Sequence, residues 1–181
     1  AHGEMPLEPT KDIVFFPTLP TLEPSEERKV RVGRVAAAGA REKTYRIFVK
    51  ELPSVDKVSS NGVRVLTTMG IPIFVRPERE TSSAELSSLQ HANGKLQFVL
   101  ANTGTVHFVP QRIQVRGLKN GVEAFETSVE GWYVLAAGRR EFAVNLPPES
   151  CAGVDSLLIH VQFASATLEE RLQTPGGTCE R

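Results

Sequence analysis

Four histidines, two cysteines and a pair of adjacent glutamates are the side chains of this 181-residue chain whose types suit chemistry. His2, His91, His107 and His160 are scattered, with no His-Glu-x-x-His or His-x-His spacing, so they offer no zinc site. Each reads as a surface or satisfied strand residue. Glu169-Glu170 reads as a solvated charge pair, because catalytic carboxylates need burial or a charged neighbour to shift their pKa. No Gly-x-Ser-x-Gly elbow occurs, and no glycine-rich loop precedes a helix to cradle phosphate. Gly176-Gly177 lies in the tail and reads as a turn. The chain is therefore expected to be no enzyme, with no metal and no cofactor. Cys151 and Cys179 are not a Cys-x-x-Cys pair. They leave three readings open: a disulfide in an oxidising compartment, two separate thiols, or metal ligands. A bridge would contribute roughly 3–4 kcal/mol in the chain-entropy model and tie down the tail.

Composition narrows the class further. Lys plus Arg and Asp plus Glu stand at 21 each. That balance has no basic footprint for nucleic acid or an anionic membrane surface. No apolar run approaches the ~20 residues that span a bilayer as a helix, so neither nucleic-acid binding nor membrane insertion is expected. The opening Ala1-His-Gly-Glu-Met-Pro6 is polar and lacks a leader-type apolar segment. With no initial Met, the chain reads as a processed or fragmentary product.

The elements that would position any site are strands. Asp12–Pro17, Arg28–Gly33, Lys43–Lys50 and a long run from Val63 to Pro77 carry alternating or apolar patterns. Val63, Val65, Met69, Ile71, Ile73 and Val75 share one parity, with Thr67 the one polar break. This row predicts one long strand with a face meant for burial, well beyond the usual ~5–6 residues. Glu78–Ser83 is polar and reads as an interdomain linker. Behind it come runs over 85–90, 95–101, 107–116, 122–127, 132–135, 140–146 and 155–163. Residues 167–173 read as a last strand or a helical turn. Asn61-Gly62, Asn93-Gly94 and Asn120-Gly121 mark tight hairpin turns, since both residues tolerate positive φ.

This regular spacing predicts an all-β chain of two immunoglobulin-like β-sandwich domains, over 1–77 and 84–181, joined by 78–83. Residues before Pro77 supply about four strands where a closed sandwich needs roughly seven. The first domain is thus expected to lack its N-terminal strands or to be finished by another chain.

Thr44-Tyr-Arg-Ile-Phe-Val-Lys-Glu-Leu-Pro53, followed by Val63 to Pro77 ending Ile-Phe-Val-Arg-Pro, resembles the periplasmic chaperones of the chaperone–usher pathway. Leu22 to Val32 and Asn102-Thr-Gly104 are similar to further segments of that family. The likeness covers about residues 13–163 and is most specific over 44–77. It implies a chaperone whose last first-domain strand completes a pilin-type subunit by β-augmentation, for delivery to an outer-membrane usher. Residue by residue it implies that Val63, Val65, Thr67, Met69 and Ile71 fill the subunit's groove. The family's basic anchor for a subunit carboxylate falls here on Pro72, and its partner arginine falls on a strand missing from this chain. The Pro72 form resembles the branch serving spore-coat-like secreted subunits. A tandem immunoglobulin-like surface module without a client is the alternative.

Overall fold

The computed structural model describes residues 6–53, 63, 65–163 and 166–174. Every element in it is a strand. The first four are β1 (Ile13–Phe16), β2 (Arg31–Arg34), β3 (Lys43–Lys50) and β4 (Thr68–Val75). The remainder are β5 (Ala84–Ala92), β6 (Lys95–Asn102), β7 (Pro110–Lys119), β8 (Val122–Val129), β9 (Arg139–Asn145), β10 (Ser156–Phe163) and β11 (Ala166–Gln173).

The second half is a sandwich. A three-stranded sheet in the order β5-β6-β9 faces a four-stranded sheet in the order β11-β10-β7-β8. The inward rows are legible as alternation: Leu96, Phe98 and Leu100 on β6, Ile113 and Val115 on β7, Leu157, Ile159 and Val161 on β10, all essentially without solvent exposure. Phe98 stacks on its cross-strand partner Phe142 at 5.6 Å within the three-stranded sheet, and Phe108 stacks on Phe163 of the four-stranded sheet at 4.5 Å. Each such buried side chain contributes about 1.5–3 kcal/mol of hydrophobic stabilisation.

Two of the Asn-Gly turns are described, and both take left-handed backbone. Asn93 and Gly94 have φ of 51° and 69°, and Asn120 and Gly121 have 51° and 78°. That is the conformation of a tight hairpin matched to strand twist. Asn61-Gly62 lies outside the described residues. Residues 166–173 resolve the open choice in favour of a strand, paired along its whole length with β10. The Trp132–Leu135 expectation is corrected: this stretch makes only an isolated bridge, Phe108 with Val134. Asn102 occupies the space beside it, its Nδ2 donating to the carbonyls of Val106 and Val134 at 2.8 and 3.0 Å.

The first half is built differently. β1 pairs only with β2, and β3 only with β4, giving two separate two-stranded sheets among the described residues. Among the described residues the core cluster takes no member from before Ala84. Of the exposed large apolar side chains among the described residues, only Val109, Val122 and Trp132 fall after residue 83. A cavity of about 650 Å³ opens between the N-terminal segment and β3, lined among others by Leu7, Ile13, Phe15, Tyr45 and Ile47. Two-stranded sheets alone are marginal in water, and here their apolar faces stand uncovered. The Tyr45 hydroxyl donates to Asp12 Oδ2 at 2.9 Å, tying β3 to the start of β1. Burial, that hydrogen bond and the Asp12 charge hold the Tyr45 hydroxyl above the ordinary phenol range, with Arg34 opposing.

The long strand is shorter than its pattern. β4 begins at Thr68, while Val63, Val65, Leu66 and Thr67 carry no strand assignment. The reason lies in the partner. β3 and β4 pair Lys43 with Val75 through Lys50 with Thr68. Glu51 still donates its N–H to the Thr67 carbonyl at 2.9 Å. Extending the register sets Pro53 against Val65, and proline has no N–H to continue a ladder. An alternating row specifies a strand only where something pairs with it.

Candidate functional site

β4 places the sequence-predicted row unevenly. Met69 and Ile71 lie within the strand, both exposed, on the face they share with Val49 and Ile47 across the ladder. Val65 is 82% exposed and Val63 97%, ahead of the strand with Thr67. Cross-strand pairs hold one parity on one face, so Ile73 and Tyr45 continue the row toward the half-buried end of the sheet. The result is an apolar face that becomes progressively more open from Ile73 to Val63. Residue 64 lies outside the described residues.

The opposite face carries Arg46 and Phe48 on β3 and Gly70, Pro72 and Phe74 on β4. Arg46 stands across the ladder from Pro72, exposed and without an ion-pair partner among the described residues. Its stem runs over Gly70: a Cβ on that glycine would lie 3.1 Å from Arg46 Cδ and 3.3 Å from Phe48 Cε1.

Beyond Phe74 the strand meets the second half through a clamp that sequence reasoning missed. Phe74 stacks on His107 with ring centroids 3.8 Å apart, and Tyr133 closes the cluster at 5.8 Å from each. His107 donates its backbone N–H to Glu42 Oε1 at 3.1 Å, and its Nδ1 lies 2.7 Å from the same oxygen. Glu42 in turn donates its N–H to the Thr105 carbonyl at 2.8 Å. Its carboxylate is fully buried and the second oxygen, Oε2, is unpartnered. Residues 79–83 lie along the same loop. Thr105 donates to the Thr81 carbonyl, Thr103 to that of Ser83, each at 2.9 Å. Gly104 permits this approach, because a Cβ there would sit 2.3 Å from the Thr81 carbonyl oxygen. The spacing of Glu42 and His107, 65 residues apart, left no signal in the sequence that they meet.

Replacing Glu42 with Ala is expected to cost about 1–3 kcal/mol, the range for leaving buried partners unsatisfied. It is also expected to speed protease cleavage within residues 78–83, with Glu42→Gln intermediate because it keeps one acceptor oxygen. Cleavage rates equal to wild type would show that the clamp does not hold the two halves together.

Among the described residues no group of histidine, cysteine or carboxylate side chains suits a metal ion. Cys151 is fully buried, and no described cysteine is a free thiol. Cys179 lies outside the described residues.

Residues 2–80 match the family model of pili and flagellar-assembly chaperones, PapD N-terminal domain. That span is a little under half of the chain, and over it the chain is similar to the N-terminal domain of those chaperones. The match spans β1 to β4 and the start of the connecting segment, the region where apolar faces stand uncovered. Among solved structures, the crystal structure of the class 5 fimbriae chaperone CfaA is similar, with a TM-score of 0.56 at 14% identity. The likeness covers 91% of this chain and 73% of that one, and at this identity it speaks for the fold: two immunoglobulin-like domains in sequence. No curated protein sequence matches the chain. Beside these likenesses stand three features of the site: a β4 edge unpaired among the described residues, an exposed apolar row, and a clamp that joins the strand's end to the second half.

Proposed function

We propose that this chain is a periplasmic chaperone that holds pilin-type subunits by lending them β4 and the segment before it, and hands them to an outer-membrane usher. The observation that carries the reading is the state of β4. Among the described residues it is paired on one edge only, and the row that runs from Val63 ahead of it to Ile71 within it is exposed. A subunit short of one strand would gain main-chain hydrogen bonds from the open edge and apolar contacts from Val63, Val65, Met69 and Ile71. Thr67 sits in the same row and adds a polar contact within it. Burial of four such side chains is the main source of affinity, at about 1.5–3 kcal/mol for each one fully covered. The same exposure makes the free chain prone to association through its edge, which a bound subunit would relieve.

Co-expression with the subunit genes that neighbour it tests the reading. A stable complex of one subunit with one chain is expected, together with loss of the subunit when the chain is omitted. Equal recovery of folded subunit with and without the chain would sink the proposal and favour a surface module without a client.

A further inference from the structure

The hydrogen-bonding direction of every residue in β4 follows from one bond and one register. In an antiparallel pair, residues that exchange main-chain bonds alternate with residues whose N–H and C=O point away from the partner. Glu51 N–H donates to the Thr67 carbonyl, so that pair is a bonded one. The register is unbroken from Lys50–Thr68 to Lys43–Val75. Met69, Ile71 and Ile73 therefore direct their main-chain groups to β3. Thr68, Gly70, Pro72 and Phe74 direct theirs to the open edge. Pro72 sits where the ladder with β3 loses nothing by it, which is how proline is tolerated in a strand. Its cost falls entirely on the open edge, where the series of donors at Thr68 and Gly70 is interrupted before it resumes at Phe74.

We propose that Pro72 is the end stop of strand addition on β4: an added strand pairs as far as Gly70 and leaves the edge there. The inference rests on the reading of β4 as the donor strand and assigns the register of that same site. Two further features agree with it. Gly70 presents no side chain of its own on the face where the Arg46 stem and Phe48 lie, so the last paired residue is set by the backbone alone. Phe74, the next residue with an outward donor, is held against His107 and so belongs to the clamp with the second domain. Pairing that continued past Pro72 would have to run into that cluster.

Amide hydrogen exchange on the whole chain tests the assignment in two steps. In the free chain Met69, Ile71 and Ile73 are expected to be protected, and Thr68 and Gly70 to exchange at least tenfold faster. The reverse pattern would overturn the proposal at once. In the complex with the co-expressed subunit, Thr68 and Gly70 should gain at least tenfold protection while Phe74 gains none. Pro72→Ala should extend the gain to the new amide at position 72 and to Phe74. Protection at Phe74 in the wild-type complex, or no difference between wild type and Pro72→Ala, overturns the stop and leaves the donor reading standing. A subunit complex with no gain anywhere on β4, or no complex at all, removes the donor reading and the stop with it.

Discussion

Aspartate at Val65 and Met69 together is expected to abolish recovery of the subunit while leaving the chain itself folded. Both side chains are already exposed in the free chain, so charge costs little there. In a subunit groove the same carboxylates would be buried without partners. Leaving a charge unpaired on burial costs roughly 3–5 kcal/mol, and about 1.4 kcal/mol is a factor of ten in affinity. The double variant should therefore weaken the complex on the order of a hundredfold or more. Val122→Asp is the control, since Val122 is 70% exposed on the second domain, far along the chain from β4. Circular dichroism should show the same thermal transition for all three proteins. An undiminished complex with the double variant would mean that the row is not what the subunit holds.

The second large effect separates the two halves by stability. Leu157→Ala removes a side chain with no solvent exposure from near the start of β10, where it faces the core. Deletions of this kind cost about 2–5 kcal/mol through lost transfer energy and the cavity left behind. Ile71→Ala removes a comparable amount of apolar surface from a site that is 48% exposed. Its cost in the free chain should lie within about 0.5–1 kcal/mol, near the range of surface changes. Denaturation midpoints read both directly. If Ile71→Ala proved as costly as Leu157→Ala, Ile71 would be a core residue of its own domain and unavailable to any client.

Much of this organisation was legible in particular residues. Period-two alternation located β6, β7, β9 and β10 because both of their faces are decided within the chain: one packs on the facing sheet and one meets solvent. The turns at Asn93-Gly94 and Asn120-Gly121 were legible for the same local reason, since left-handed backbone is cheap only for a few residues. The alternation over Lys43–Lys50 has the same bounds as β3. The alternation from Val63 outruns β4, because it reports a preference for one buried face and says nothing about whether a partner strand reaches that far. Trp132–Leu135 has β-forming residues, yet the segment beside it supplies one bridge, Phe108 with Val134. The clamp was not legible at all. Nothing in Arg-Glu-Lys around Glu42 distinguishes a surface glutamate from one buried against a histidine of the other domain.

The sequence by itself determined that the chain is all-β, where most strands and turns lie, and which row on β4 is apolar. These follow from local steric preference and from the two-residue period of a strand. Only the tertiary structure decided that Glu42, Phe74, His107 and Tyr133 meet, that β4 has one paired edge and one left open among the described residues, and that Pro72 faces the open one. Those depend on which segments come together across the fold, and pairing between distant segments leaves its trace in three dimensions rather than in spacing along the chain.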